Sequence, residues 1–196
     1  IDSGSFMSFV GPSGSGKTTI LNLIGGLDIP TTGNIFFKNT KLSSMNRNQM
    51  AQYRRKNIGF IFQTYNLFPV YSVYENILFP LLLNGSKEKD AQERVMNIVN
   101  KVGLSDQVKK RPSQLSGGQC QRVAIARALV KDPLLILADE PTANLDSKNS
   151  LQTLELMSEL NKQYKAAVVF STHDEKVTRY VRREVGLEDG KIISDK

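Results

Sequence analysis

Residues 6–27 read FMSFVGPSGSGKTTILNLIGGL: an apolar strand, a glycine-rich turn, and a helix that carries Ile20, Leu23, Ile24 and Leu27 on one stripe. The turn matches G-x-x-x-x-G-K-[ST] from Gly11 to Thr18, and the strand before it and helix after it supply the context that separates a phosphate-binding loop from a Gly-Ser linker. Gly11, Gly14 and Gly16 let the backbone close in. The N–H groups of Ser13, Gly14, Ser15, Gly16, Lys17 and Thr18 are then expected to turn toward a β-phosphate, with Thr19 next to them. Lys17 places a cation on the β- and γ-phosphates, and the Thr18 hydroxyl suits Mg²⁺, a hard cation that prefers oxygen. The ligand class is a nucleoside triphosphate with its magnesium.

Outward from this loop, GNIFFKN and NIGFIFQ (57–63) read as strands separated by a polar helix around 45–55. From about 64 to 130 the pattern turns helical. Ser72 and Glu75 have capping-box spacing, and Val95, Ile98, Val99 and Val102 give one helix an apolar face. Alternation then returns: LLILA (134–138), a helix over 147–164 with Leu151, Leu154 and Leu160, and AAVVFS (166–171). Continuous apolar runs of this kind are buried parallel strands. The expected fold is therefore α/β, a mostly parallel core sheet with a small antiparallel β part, built from 1–63 and 131–196, with 64–130 as an inserted α-helical lobe. The chain opens on Ile1 directly ahead of the first strand, and its N-terminal strands are expected to be truncated.

Twenty-six Lys and Arg against nineteen Asp and Glu give a net charge of +7, which suits polyphosphates, nucleic acid or an anionic membrane surface, and equally a merely basic surface. Cys120 is the single cysteine, so an internal disulfide is excluded, and with one histidine so is a four-ligand zinc site. The longest apolar run, ILFPLLL (77–83), falls far short of the ~20 residues a membrane span requires. Residues 1–5 show no basic and apolar leader pattern, and no signal peptide is expected from them.

The stretch LLILADEPT puts Asp139 and Glu140 at the carboxyl end of a buried strand, where open parallel sheets bind ligands. Two carboxylates after an apolar run call for a cation. Neighbouring strand residues point apart, so Asp139 is expected to hold the metal while Glu140 faces an attacking water. His173 follows the next apolar strand and emerges at the same edge, where it reaches toward a γ-phosphate. Gln63 ends IGFIFQ, placing its amide oxygen near the metal or the water. A second helix start, LSGGQ at 115–119, has the Ser-x-x-Gln spacing of a capping box. A capping serine alone does not require Gly117 and Gly118, which clear space for a ligand. The helical lobe that carries them holds them away from the chain's own phosphate loop.

Taken in order, GPSGSGKT, Gln63, LSGGQ, LLILADEPT, NLD (144–146) and His173 resemble the nucleotide-binding domain of ABC transporters over essentially the whole chain. GGLDIPTTGNIFF and YRRKNIGFIFQTYNLFPVYSVYENILFPLLLNG resemble most closely the ATPases of the MacB, LolD and bacitracin-exporter group. The resemblance implies an ATPase that binds ATP and Mg²⁺ and pairs head to tail with a second copy. Ser116, Gly117, Gly118, Gln119 and Asp146 of each copy then serve the other copy's ATP. Glu140, His173, Lys17 and Gln63 are implied as catalytic, and Thr18, Gln63 and Asp139 as metal ligands. An integral membrane permease is expected to dock near the Q-loop region, Leu67 to Leu83, holding the protein on the cytoplasmic face of the cell membrane. The cargo implied is a lipoprotein, peptide or antibiotic. A cell-division or mechanotransmission ATPase, or a ribosome-associated one, shares the same motifs, but no nucleic acid partner is expected. Two departures stand out: the family's adenine-stacking aromatic lies on a strand upstream of the phosphate loop that this chain is expected to begin too late to contain, and Cys120 occupies a position that is commonly polar in the family.

Overall fold

In the computed structural model, residues 1–174, 177 and 179–196 are described. Among the described residues, eight strands and six α-helices follow one another as β1 (Phe6–Val10), α1 (Lys17–Ile24), β2 (Phe36–Phe37), β3 (Thr40–Lys41), α2 (Arg47–Asn57), β4 (Ile58–Ile61), α3 (Val73–Leu83), α4 (Glu88–Lys101), α5 (Gly117–Leu129), β5 (Leu135–Asp139), α6 (Ser147–Tyr164), β6 (Ala167–Thr172), β7 (Arg183–Glu188) and β8 (Lys191–Asp195).

The main sheet has the order β4-β5-β6-β1-β7-β8, parallel throughout except for the antiparallel β8 at one edge. Its strands are apolar on both faces because both are covered. Alternation sorts the side chains: Phe6, Ile136, Ala138, Val168 and Phe170 face the core shared with α3 to α6, while Met7, Phe9, Leu135, Leu137 and Val169 face α1 and Tyr53 of α2. Phe6 and Phe170 meet edge to face with centroids 5.6 Å apart, an arrangement worth about 1 kcal/mol beyond its buried area. Gly59 of β4 is fixed by packing, since a Cβ there would stand 2.7 Å from the carbonyl oxygen of Ala128 on α5.

The stripe Val95, Ile98, Val99, Val102 is buried as expected, the last residue capping α4. Other expectations shift. Leu151 lies on the exposed face of α6, at 43 % accessibility, and Leu154 and Leu160 take the core together with Met157. GNIFFKN supplies only the two-residue β2, paired with β3. Strand β4 stops at Ile61, so Gln63 sits in the turn beyond it rather than on the strand. The hairpin β7–β8 was not anticipated, although Asp189-Gly190, both with positive φ (47° and 74°), is a standard turn signal.

Helix α3 begins with a complete capping box: the Glu75 N–H donates to Ser72 Oγ at 3.2 Å, and Glu75 Oε2 accepts from the Ser72 N–H at 2.7 Å. That backbone donor, then the Ser72 hydroxyl, holds the Glu75 carboxyl below its ordinary value. A depressed carboxyl pKa adds stability that is present above the unfolded-state value and is lost as pH falls through the folded one. Ser72→Ala should cost about 1 kcal/mol in chemical denaturation at neutral pH, with the deficit shrinking below about pH 4. A deficit that is unchanged in acid would contradict this account of the cap.

Candidate functional site

The parallel pairing lines up three strand ends: Asp139 of β5 pairs with Ser171 of β6, which pairs with Phe9 of β1 just ahead of the glycine loop. The loop itself is tight. Gly14 and Gly16 lie at φ 82° and 97°, and a Cβ on Gly11 would come within 2.1 Å of the Leu187 carbonyl oxygen on β7. Only glycine fits there, so the unanticipated hairpin is what braces the loop from behind. Gly16 caps α1, leaving the helix's first N–H groups turned into the loop, where an anion is favoured. Lys17 is 7 % exposed, and its Nζ donates to the carbonyls of Gly11 (2.7 Å) and Pro12 (2.8 Å), which keeps the charge inside the loop.

Thr18 Oγ1 donates to the Asp139 carboxylate at 3.0–3.1 Å. Asp139 also accepts from the Ser171 hydroxyl (2.6 Å), and that hydroxyl in turn accepts from the Glu140 N–H (2.9 Å). His173 Nδ1 lies 2.9 Å from Glu140 Oε1; the Glu140 side chain is 17 % exposed and that of His173 65 %. Ser13, Gly14, Gly16, Lys17, Thr18, Thr19, Gln63, Glu140 and His173 line a cleft of about 620 Å³. Thr18, Asp139 and Gln63 offer only oxygen donors, the set that fits Mg²⁺. Glu140 has φ 46°, a left-handed conformation that costs on the order of 1–3 kcal/mol for a residue other than glycine. The surrounding contacts hold it there.

Ser116, Gly117, Gly118, Gln119 and Asp146 do not line this cleft. They form a second cluster. Ser116 and Gln119 make the expected capping box at the start of α5, with bonds of 2.9 and 3.3 Å. Asp146 caps α6, accepting from the Asn149 N–H (2.9 Å) and side-chain amide (2.6 Å), bonds that hold its carboxyl below the usual range. The two glycines have neighbours within the chain: a Cβ on Gly118 would stand 2.8 Å from Asn149 Oδ1, and one on Gly117 3.1 Å from the Tyr65 hydroxyl. Part of their necessity is therefore internal packing between α5, α6 and the Gln63 loop.

Several side chains that brace the site escaped the sequence reading. Ser171 is one, detectable only as a polar residue ending an apolar strand. Asn144 Nδ2 donates to the Gln63 carbonyl (2.8 Å), and Arg127 of α5 donates to the carbonyls of Tyr65 (2.7 Å) and Asn66 (2.5 Å). Both of those loop residues have positive φ, 63° and 45°. Gln121, also on α5, reaches Pro141. Cys120 is buried, and burial pushes its thiol pKa up, away from reactivity.

Residues 1–143 match the family described as ABC transporter. The chain is 45 % identical to the lipoprotein-releasing system ATP-binding protein LolD of Legionella pneumophila strain Lens over 194 residues, covering 99 % of this chain and 86 % of the relative. Identity to the LolD protein of strain Paris is 44 % over the same length. Two dimeric structures of the bacterial ABC transporter cassette MJ0796, one of them in a post-hydrolysis state bound to ADP and Pi, superpose with TM-scores of 0.91 at 40 % identity. Each match covers all of this chain and 86 % of the other.

Proposed function

The chain belongs to the ABC transporter family and is an ATP-binding, ATP-hydrolysing subunit of it, and we propose that it works as a head-to-tail pair of copies that drives a separate membrane subunit in lipoprotein release. The observation that carries the pairing is the split on one chain: the phosphate loop, Glu140 and His173 share a cleft, with Asp139 bonded to its Thr18, while the signature residues 116–119 and Asp146 stand elsewhere as a compact second cluster. Dimeric cassettes of the same fold support it. Lipoprotein cargo is supported by the identity to LolD proteins.

In this reading the loop N–H groups and Lys17 hold the β- and γ-phosphates. Thr18, Asp139 and Gln63 would hold Mg²⁺, which when bound would supply positive charge to those phosphates. Glu140 takes a proton from the attacking water, and His173, hydrogen-bonded to Glu140, fixes the carboxylate's direction and faces the γ-phosphate. The partner's Ser116 and Gly118 close over that phosphate from the other side. Loss of the γ-phosphate removes the anion both copies share, and the pair separates.

No helix among the described residues is long and apolar enough to cross a membrane, so the coupling runs through a surface. An open groove of about 450 Å³ bordered by Leu27, Phe60, Phe62, Phe68, Phe79 and Leu83 lies beside the Gln63 loop. Phe68, Val70, Leu82 and Leu83 around it are exposed apolar residues, the chemistry that receives a short helix from a membrane subunit on the cytoplasmic face.

Two measurements check this. Glu140→Gln should hydrolyse ATP at least about 100-fold more slowly and elute as a dimer with Mg-ATP, returning to monomer with Mg-ADP; a variant that stays monomeric with Mg-ATP contradicts the shared site. Val70→Cys, carrying a crosslinker in native membranes, should capture an integral membrane protein. If it captures none while cysteines introduced at exposed positions of α6, such as Leu151→Cys, do, the docking face is misplaced.

A further inference from the structure

We propose that Gln121 is a positioning residue for Glu140, holding the peptide that carries the carboxylate in its left-handed conformation. Gln121 lies on α5, is wholly buried at 0 % exposure, and sends its amide Nε2–H to the carbonyl oxygen of Pro141 at 2.6 Å. A carbonyl accepts only, so the nitrogen end of the amide is the end that faces it. The Oε1 atom has no hydrogen-bond partner among the described residues. A side chain kept merely to fill this space would be apolar, since an apolar group of the same shape would leave no acceptor unmet. The donor is the useful end.

The geometry around Glu140 explains what it is used for. Residues preceding proline avoid the right-handed helical region, and Pro141 has no N–H through which the turn could be anchored. Glu140 sits at φ 46°. Its own N–H is held by Ser171 Oγ at 2.9 Å, and the next anchor along the chain is the Gln121 bond to Pro141 O. Beyond that, the turn is closed by the Ala143 N–H donating to the Glu140 carbonyl at 3.2 Å, a long bond. Ser171 therefore grips the strand side of Glu140 and Gln121 the loop side. Without Gln121 the peptide is free to relax out of the left-handed well, and the carboxylate swings relative to His173 and the water it must face. The helix that supplies this grip starts at Ser116 and Gly117, so the chain's signature segment and its own base are joined through one rigid element.

This inference rests on Glu140 being the base, and the experiment separates the two. In the purified protein, Gln121→Met keeps the side chain's length and removes the donor. Mg-ATP hydrolysis should fall about 10- to 100-fold in kcat, with KM for ATP changed by less than about twofold, because positioning errors of an ångström act on the reacting geometry and not on phosphate binding. Placed in the Glu140→Gln background, the same substitution should leave the residual rate and the Mg-ATP dimer unchanged, as two changes acting through one group are non-additive. Gln121→Asn, which retains the amide but withdraws it by one methylene, should fall between the two and serves if the methionine variant does not fold. The inference is overturned if folded Gln121→Met protein retains the parent kcat, if KM rises as much as kcat falls, or if the substitution slows Glu140→Gln by the same factor as it slows the parent. A Glu140→Gln protein that hydrolyses ATP at the parent rate would instead remove the base itself, whatever Gln121 does.

Discussion

The parallel pairing of β5, β6 and β1 is the constraint on which the site depends. Register places Asp139, Ser171 and Phe9 side by side at the carboxyl ends of their strands, and the glycine loop starts within two residues of Phe9. A one-residue slip would send Asp139 to the opposite face and bury a carboxylate against Phe170 and its neighbours, so the apolar alternation that sorts the two faces also fixes the chemistry at their end. The β7–β8 hairpin closes the arrangement from the far side, where the Leu187 carbonyl leaves no room for any side chain at position 11. Three elements far apart in sequence thus converge on one phosphate-sized concavity.

Several costly arrangements lie where chemistry is expected. Lys17 is buried with its charge shared between two carbonyls, Glu140 stands in a left-handed conformation, and Tyr65 and Asn66 do the same beside Gln63. Each is held by a neighbour with a fixed direction: Ser171 for Glu140, Arg127 for Tyr65 and Asn66, Asn144 for the Gln63 carbonyl. Two of these loops are tied to α5, the helix that begins at Ser116.

How much of this could be read from the sequence follows the range of the interactions. Local signals read true: the strand-loop-helix of residues 6–24, the capping boxes at Ser72 and Ser116, the bounds of α6 and the apolar face of α4 all depend on residues a few positions apart. The acidic pair and His173 were legible because buried strands end in a predictable place. Tertiary partners were not. Nothing near Ser171 or Gln121 in sequence says which backbone atom each will reach, and Leu151 reads as core until the neighbours of α6 are known. The roles of Gly117 and Gly118 were only half legible. The space they clear is partly taken by Tyr65 and Asn149 of the same chain, a contact no spacing rule reveals. The β7–β8 hairpin, by contrast, was marked by its Asp-Gly turn.

One chain thus carries two separate clusters, a phosphate-loop cleft with Glu140 and His173 and a glycine-led helix start outside it, which the proposed function reads as two half-sites. The central claim is that the halves meet only between copies. Lys17→Ala removes the cleft's cation and Ser116→Arg fills the helix start, and each protein alone should be inactive. Mixed in equal amounts, they form pairs in which the intact cleft of one copy meets the intact signature of the other, and ATP hydrolysis should return to about a quarter of the parent rate if copies assort at random and sites act independently. No recovery on mixing, with heterodimers demonstrated, would mean that each chain completes its site alone.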